Sequence, residues 1–367
     1  MTTTLEREEK RIPVRTPALI DTAMWARVSA TGGAAVWAGL AVMARVGVAR
    51  FGAIELMLLF APLVIVPLGI ELGRGLGCGG RLASIAQRIQ PVAAALAVGA
   101  VWIAPGRTAA GLAFGWLVVC VLVAGAGVGD LISASWSDAG GGARATFVRD
   151  TFTPGTFTSA RSTSARTSLL VRVAVSVAYL DLAVGGAWLV ASRWGVRPMG
   201  IQEPIGLLTA VHFHFAGFAT AMIAAATLQF AERSGEARWL RWLVGFVIAM
   251  PYLVAAGFVI SPALKMVAGV CFSISVAGLA IFVRGCGRKA EDANARVLLQ
   301  VAAGCVFAGM VLAGMYAVAD FFGSDVLTIP QMVRTHGVLN AVGFCMSGLL
   351  GWVVESSVPT PSKTFNR

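Results

Sequence analysis

Histidine changes charge close to neutral pH and is the commonest nitrogen ligand for metals. This chain of 367 residues has only three: His212, His214 and His336. Each imidazole could carry a proton, hydrogen-bond a solute, or ligate Zn, Cu or haem iron. His212 and His214 are two residues apart, about 200° around a helix, so they point opposite ways and cannot share one ion unless the helix is broken. Pro204 lies too far back to break it at that point. His336 and Asn340 are four apart and share a face with Gly343 and Phe344, while His214 shares a face with Ala210, Gly217 and Phe218. If those stripes meet, His214, His336 and Asn340 converge.

The elements that position these groups are membrane spans. The chain is 57% hydrophobic and 13% charged, about half the charge of a soluble domain at ~25%. Apolar stretches long enough to cross about 30 Å of hydrocarbon recur along it. They predict an all-α polytopic transmembrane helix bundle of ten spans, at residues 25–44, 52–71, 90–105, 108–131, 169–191, 204–228, 241–260, 265–284, 297–320 and 333–354. With the N-terminus inside, 22 Lys and Arg fall on the inner side and 7 on the outer, which predicts a cell-membrane protein with both termini cytoplasmic. The net charge of +11 is then an orientation signal, and no nucleic-acid partner is expected.

The organisation follows. Residues 1–24 read as a cytoplasmic tail without a cleaved signal, 25–135 as a first block of four spans, 169–354 as a second block of six, and 355–367 as a second cytoplasmic tail. Between the blocks, 12 of the 33 residues in 136–168 are Ser or Thr, as expected of a flexible linker. Four of six cysteines fall in spans and no C-x-x-C occurs, so no disulfide framework is expected. Cys78 and Cys286 fall in cytoplasmic loops, where thiols stay reduced. Gly111 and Gly115 form a G-x-x-x-G, followed by Gly125, Gly127 and Gly129, a pattern that lets helices pack closely.

In this topology all three histidines sit in the outer half: His212 and His214 roughly 12–15 Å along the sixth span and His336 roughly 5 Å along the tenth. Ionisable groups at such depth are costly and mark candidate sites. Glu55 in the second span and Asp320 at the end of the ninth lie at similar depth, with Glu203 at the outer mouth of the sixth and Asp181 near the middle of the fifth. Glu71 and Asp130 fit solvated inner helix ends. Tyr179, Tyr252 and Tyr316 are the only tyrosines, all in spans, and Pro251 is placed to kink the seventh. The same polar groups also serve as interhelical hydrogen bonds.

Two spans share a pattern: Pro204-x4-Thr209-x4-His214-x2-Gly217-Phe218 and Pro330-x4-Thr335-x4-Asn340-x2-Gly343-Phe344. Chance and a parallel internal repeat both account for it. Transporters use such repeats, with the site between the halves.

At His212-Phe213-His214-Phe215-Ala216-Gly217-Phe218, after Leu207-Leu208-Thr209-Ala210-Val211, the sequence resembles the YndJ-like family of bacterial membrane proteins. Ala61-Pro62-Leu63-Val64-Ile65-Val66-Pro67-Leu68-Gly69 is similar to that family's second-span motif. Thr335 to Phe344, Gly185 to Leu189 and Gly195 to Pro198 also fit. The resemblance implies a multi-spanning membrane protein and no particular chemistry; the 136–168 loop does not resemble the family.

Two functional classes lead. One is a transporter-like protein in the lipid bilayer, without cofactor. In it His212, His214 and His336 bind a solute or proton, Asn340 orients the ligand of His336, and Glu55 or Asp320 supplies counter-charge. The other is a membrane-embedded hydrolase or redox enzyme with Zn, Cu or haem on His214 and His336, although no H-E-x-x-H or Cys–His cluster is present. A non-catalytic component or sensor is the third. No P-loop is present, so transport would be secondary or would use a separate ATPase.

Overall fold

The computed structural model describes residues 17–49, 51–141, 167–324 and 326–358. The expectations for 1–24, the Ser/Thr-rich loop and the C-terminal tail fall largely outside them. The described chain forms ten long helices and no strand. They are α1 (Pro17–Arg45), α2 (Ala53–Gly75), α3 (Gly80–Trp102), α4 (Arg107–Gly141), α5 (Leu169–Trp194), α6 (Ile205–Arg233), α7 (Arg238–Ile260), α8 (Pro262–Arg288), α9 (Ala293–Phe321) and α10 (Ile329–Glu355).

Nine of these described helices are long and apolar enough to cross a membrane. The tenth, α1, has 29 residues, but Arg27, Ser29, Thr31, Gly32 and Gly33 dilute its apolar run. α3 starts ten residues before the expected position 90. Its first turns carry Arg81, Gln87 and Arg88, which hold its hydropathy to 1.2, the lowest of the nine. Large apolar side chains stay on the outside, among them Trp239 and Phe322 at 71% and Ile260 at 69% exposure. Such a perimeter suits lipid, not water.

Side chains set the helix starts. Ser168, Ser261 and Asp292 accept from backbone N–H groups of the first turns of α5, α8 and α9, and Thr328 with Gln331 forms a capping box before α10. Gly195, at φ 80°, closes α5 in a left-handed turn.

Burial sorts the helices into a centre and a perimeter. The apolar windows of α2 and α6 are 78% buried, those of α5 and α10 56% and 50%, and those of α3 and α4 44%, against 22% for α7 and 33% for α8 and α9. α2, α6 and α10 touch one another, and α1, α5 and α9 back them respectively. The hairpin α3–α4 joins α1 and α2 to α5, and the hairpin α7–α8 joins α5 and α6 to α9. Contacts are close because small residues meet large ones: Gly33 packs on the backbone of Leu63, Gly69 on the ring of Phe218, and Gly348 on Ile223.

The three central helices share a device that the others lack among the described residues. Each contains π-helical turns: Ala61–Ile65 in α2, Phe213–Ala219 in α6, and Val333–Gly337 with Leu339–Met346 in α10. A π turn inserts a residue into the helical ladder and is often found at functional sites. It also frees a carbonyl, which must find a donor inside a membrane. In α2 the Gln90 amide donates to Pro62 O. In α6 the Thr220 hydroxyl donates to Phe215 O at 2.9 Å, and in α10 the Ser347 hydroxyl donates to Val342 O at 3.4 Å.

Candidate functional site

α2, α6 and α10 all begin at one end of the bundle, here the near face. His214 projects from the π turn of α6 and is completely buried. Its Nδ1 lies 2.7 Å from Ala210 O, and the indole Nε1 of Trp116 donates to its Nε2 at 3.0 Å. A carbonyl can only accept, so Nδ1 carries the proton and the ring is neutral. The Trp116 ring, from α4, stacks on it with centroids 6.0 Å apart. Gly185 of α5 makes the room, since a Cβ there would come within 2.6 Å of the imidazole. Both ring nitrogens of His214 are thus occupied.

His336 is built differently. It is half-buried in the first π turn of α10, with Nδ1 2.8 Å from the carbonyl of Gly309 in α9. The same reasoning puts the proton on Nδ1 and leaves Nε2 as the acceptor, with the Asn340 amide nitrogen beside the ring. The Asn340 amide donates to His336 O at 2.7 Å and sits 3.4 Å from that Nε2. His212 has Nδ1 2.7 Å from Leu208 O and an exposed side chain, and it lies within electrostatic range of His336. His212 and His336 therefore each keep an Nε2 acceptor, the first on the exposed side of α6 and the second beside Asn340. Of the two α6 histidines it is His212 that acts on His336 electrostatically; His214 turns to α5 and α4. The periodicity had correctly placed His212 and His214 on opposite faces, but not which neighbour each face meets.

The shared pattern of α6 and α10 extends to their backing helices. His214 packs on Gly185 and Gly217 on Asp181, with Asp181 and Gly185 four apart on α5; Asn340 packs on Gly309 and Gly343 on Cys305, four apart on α9. The π turns at 213–219 and 339–346 occupy the same register of the pattern. Hairpins α5–α6 and α9–α10 repeat one geometry with different polar groups.

Among the remaining expected residues, Glu55 lies in the first turn of α2, whose start touches both the near half of α6 and the His336 turn of α10. Asp320 is not at the pair: Lys265 holds it at 2.7 Å, between the start of α8 and the end of α9. Glu203 accepts from Leu207 N at 3.1 Å, a helix-start role. Asp130 accepts from Gly79 N at 2.6 Å and so ties α4 to the α2–α3 turn. In that turn burial, then the Asp130 carboxylate, push the Cys78 thiol up to about 11 against the pull of Arg172. Of the Gly pair in α4, Gly115 packs on Leu96 while Gly111 faces open space. Among the described residues no three His, Cys, Asp or Glu side chains gather as a metal-holding group. Sequence reasoning missed Trp116 and Gly309, since neither an indole donor nor a backbone carbonyl carries a spacing signal.

No solved structure matches the chain. A curated relative, the uncharacterized membrane protein YndJ of Bacillus subtilis (strain 168), is 26% identical over 200 residues, 53% of this chain. Those residues cover only 36% of the relative's length. The family model described as YndJ-like protein matches residues 56–344, from the start of α2 through the last π turn of α10, so the chain belongs to the YndJ-like protein family.

Proposed function

We propose that this membrane protein is transporter-like, and that a small solute or a proton binds between His212 and His336 at the near ends of α6 and α10. The observation that carries the reading is the pair of Nε2 acceptors, one on each of two parallel, π-interrupted central helices, with the Asn340 amide beside that of His336. Two neutral imidazole acceptors beside an amide suit a protonated amine, a hydroxyl or a proton. Asn340 holds the ring of His336 and would orient what binds there. Glu55, on the third central helix, is the acid placed to supply counter-charge, because Lys265 already neutralises Asp320. The repeated hairpins support the reading, since transporters bind ligands between parallel repeats. In this proposal both termini are cytoplasmic and the near face is external, following the Lys and Arg distribution.

The test uses the purified protein in proteoliposomes with a trapped pH-sensitive dye. An inside-negative potassium diffusion potential is applied, alone and with a panel of small amines and polyols outside. Protein-dependent acidification is expected in the wild type, and its loss in His212→Ala and in His336→Ala. Equal rates in wild type and both variants would overturn the proposal.

A further inference from the structure

Asp181 stands apart from the histidine pair. It lies on α5, its side chain is completely buried, and apart from the Tyr252 hydroxyl of α7 neither carboxylate oxygen has a hydrogen-bond partner among the described residues. Gly217, in the π turn of α6, presses onto it so closely that a Cβ would fall 2.8 Å from its oxygen. The titratable group acting on it is the Tyr252 hydroxyl of α7. The other elements around it bring no charge. α6 presents Gly217 and the doubly bonded His214; α5 itself carries Tyr179, whose hydroxyl is buried and unpartnered among the described residues; α4 presents Trp116 and Cys120, the latter against Gly186.

An ionised carboxylate in such a place loses its hydration without an opposite charge in return, at an effective cost of several kcal/mol. A metal cation would need more oxygen ligands than one phenol supplies. The occupant that fits the geometry is a proton. We propose that Asp181 is a buried proton-binding site, capped by the Tyr252 hydroxyl. The neutral acid keeps its proton on one carboxyl oxygen, and the Tyr252 hydroxyl is the neighbour that can donate to the other. Tyr252 is held in place by Phe213, whose ring centroid is 6.0 Å away, and its outer side belongs to the apolar perimeter, which keeps water from the carboxyl. The inference does not depend on solute binding at His212 and His336.

Infrared spectroscopy of the protein in lipid nanodiscs tests it. The wild type at neutral pH is expected to show a protonated-carboxyl C=O band that disappears in Asp181→Asn and shifts when aspartate is labelled with ¹³C. The labelling experiment needs no variant, so it stands even if Asp181→Asn fails to fold. In Tyr252→Phe, which removes the capping hydroxyl, the band should persist at a shifted frequency. No labelled carboxyl band at neutral pH would overturn the proton site; an unshifted band in Tyr252→Phe would overturn the cap.

Discussion

Hairpins α5–α6 and α9–α10 share a backbone plan and differ in what they enclose. Each sets a glycine of the backing helix against a polar side chain of the π turn, and a glycine of the π turn against a side chain of the backing helix. In α5–α6 the enclosed groups are His214 and Asp181, both fully buried, with the histidine saturated by Trp116. In α9–α10 they are Asn340 and Cys305, and the histidine sits one turn earlier, half-buried, with only the Asn340 amide 3.4 Å from its second nitrogen. The fold supplies the close approach of two helices, and the substituents decide whether the pocket is sealed or available. This also explains why the π turns persist: each costs a regular backbone bond, and each is backed by a hydroxyl or amide that takes the freed carbonyl.

The comparison can be broken most forcefully at the glycines. Gly185→Val and Gly309→Val should each destabilise the protein by about 1–3 kcal/mol through overpacking, read as a lower thermal midpoint in detergent. Gly111→Val, in open space, should leave the midpoint unchanged. A large loss at Gly185 with none at Gly309 would show that the hairpins are not equivalent. Removing the seal comes next. Trp116→Phe strands a buried ring nitrogen and should cost about 1–3 kcal/mol, whereas Asn340→Ala removes a partly exposed hydrogen bond worth roughly 0.5–1.5 kcal/mol. The same thermal measurement checks the order of the two. The smallest effect is local to the far end. With its thiol pushed up to about 11, Cys78 should react with maleimide slowly at neutral pH, faster as pH rises, and fully only on unfolding. Rapid labelling of the native protein at neutral pH, located by mass spectrometry, would contradict the burial of that turn.

Much of the scaffold was legible in the sequence because hydropathy and helix length are direct consequences of bilayer thickness. Where polar residues entered a helix the signal faded, which is why α3 was read from position 90 and not from Gly80. The site was legible only in part. That histidines at 212 and 214 face apart follows from helix geometry, and His336 and Asn340 do share a face. Which helix each face meets depends on packing among ten helices, and periodicity carries no such information, so His214 was matched to His336 in place of His212. The π turns compound the difficulty, since one inserted residue shifts the phase of every later side chain. The ion pair of Asp320 with Lys265 was equally hidden, for those residues meet only once α8 and α9 are side by side.

With three histidines in the chain, ¹⁵N NMR of selectively histidine-labelled protein in nanodiscs gives three separable imidazole environments. Replacing His336 by Gln should remove one signal, move that of His212 and leave the Trp116-bonded His214 where it was. A displaced His214 signal with His212 unmoved would contradict the pairing on which the proposed site is built.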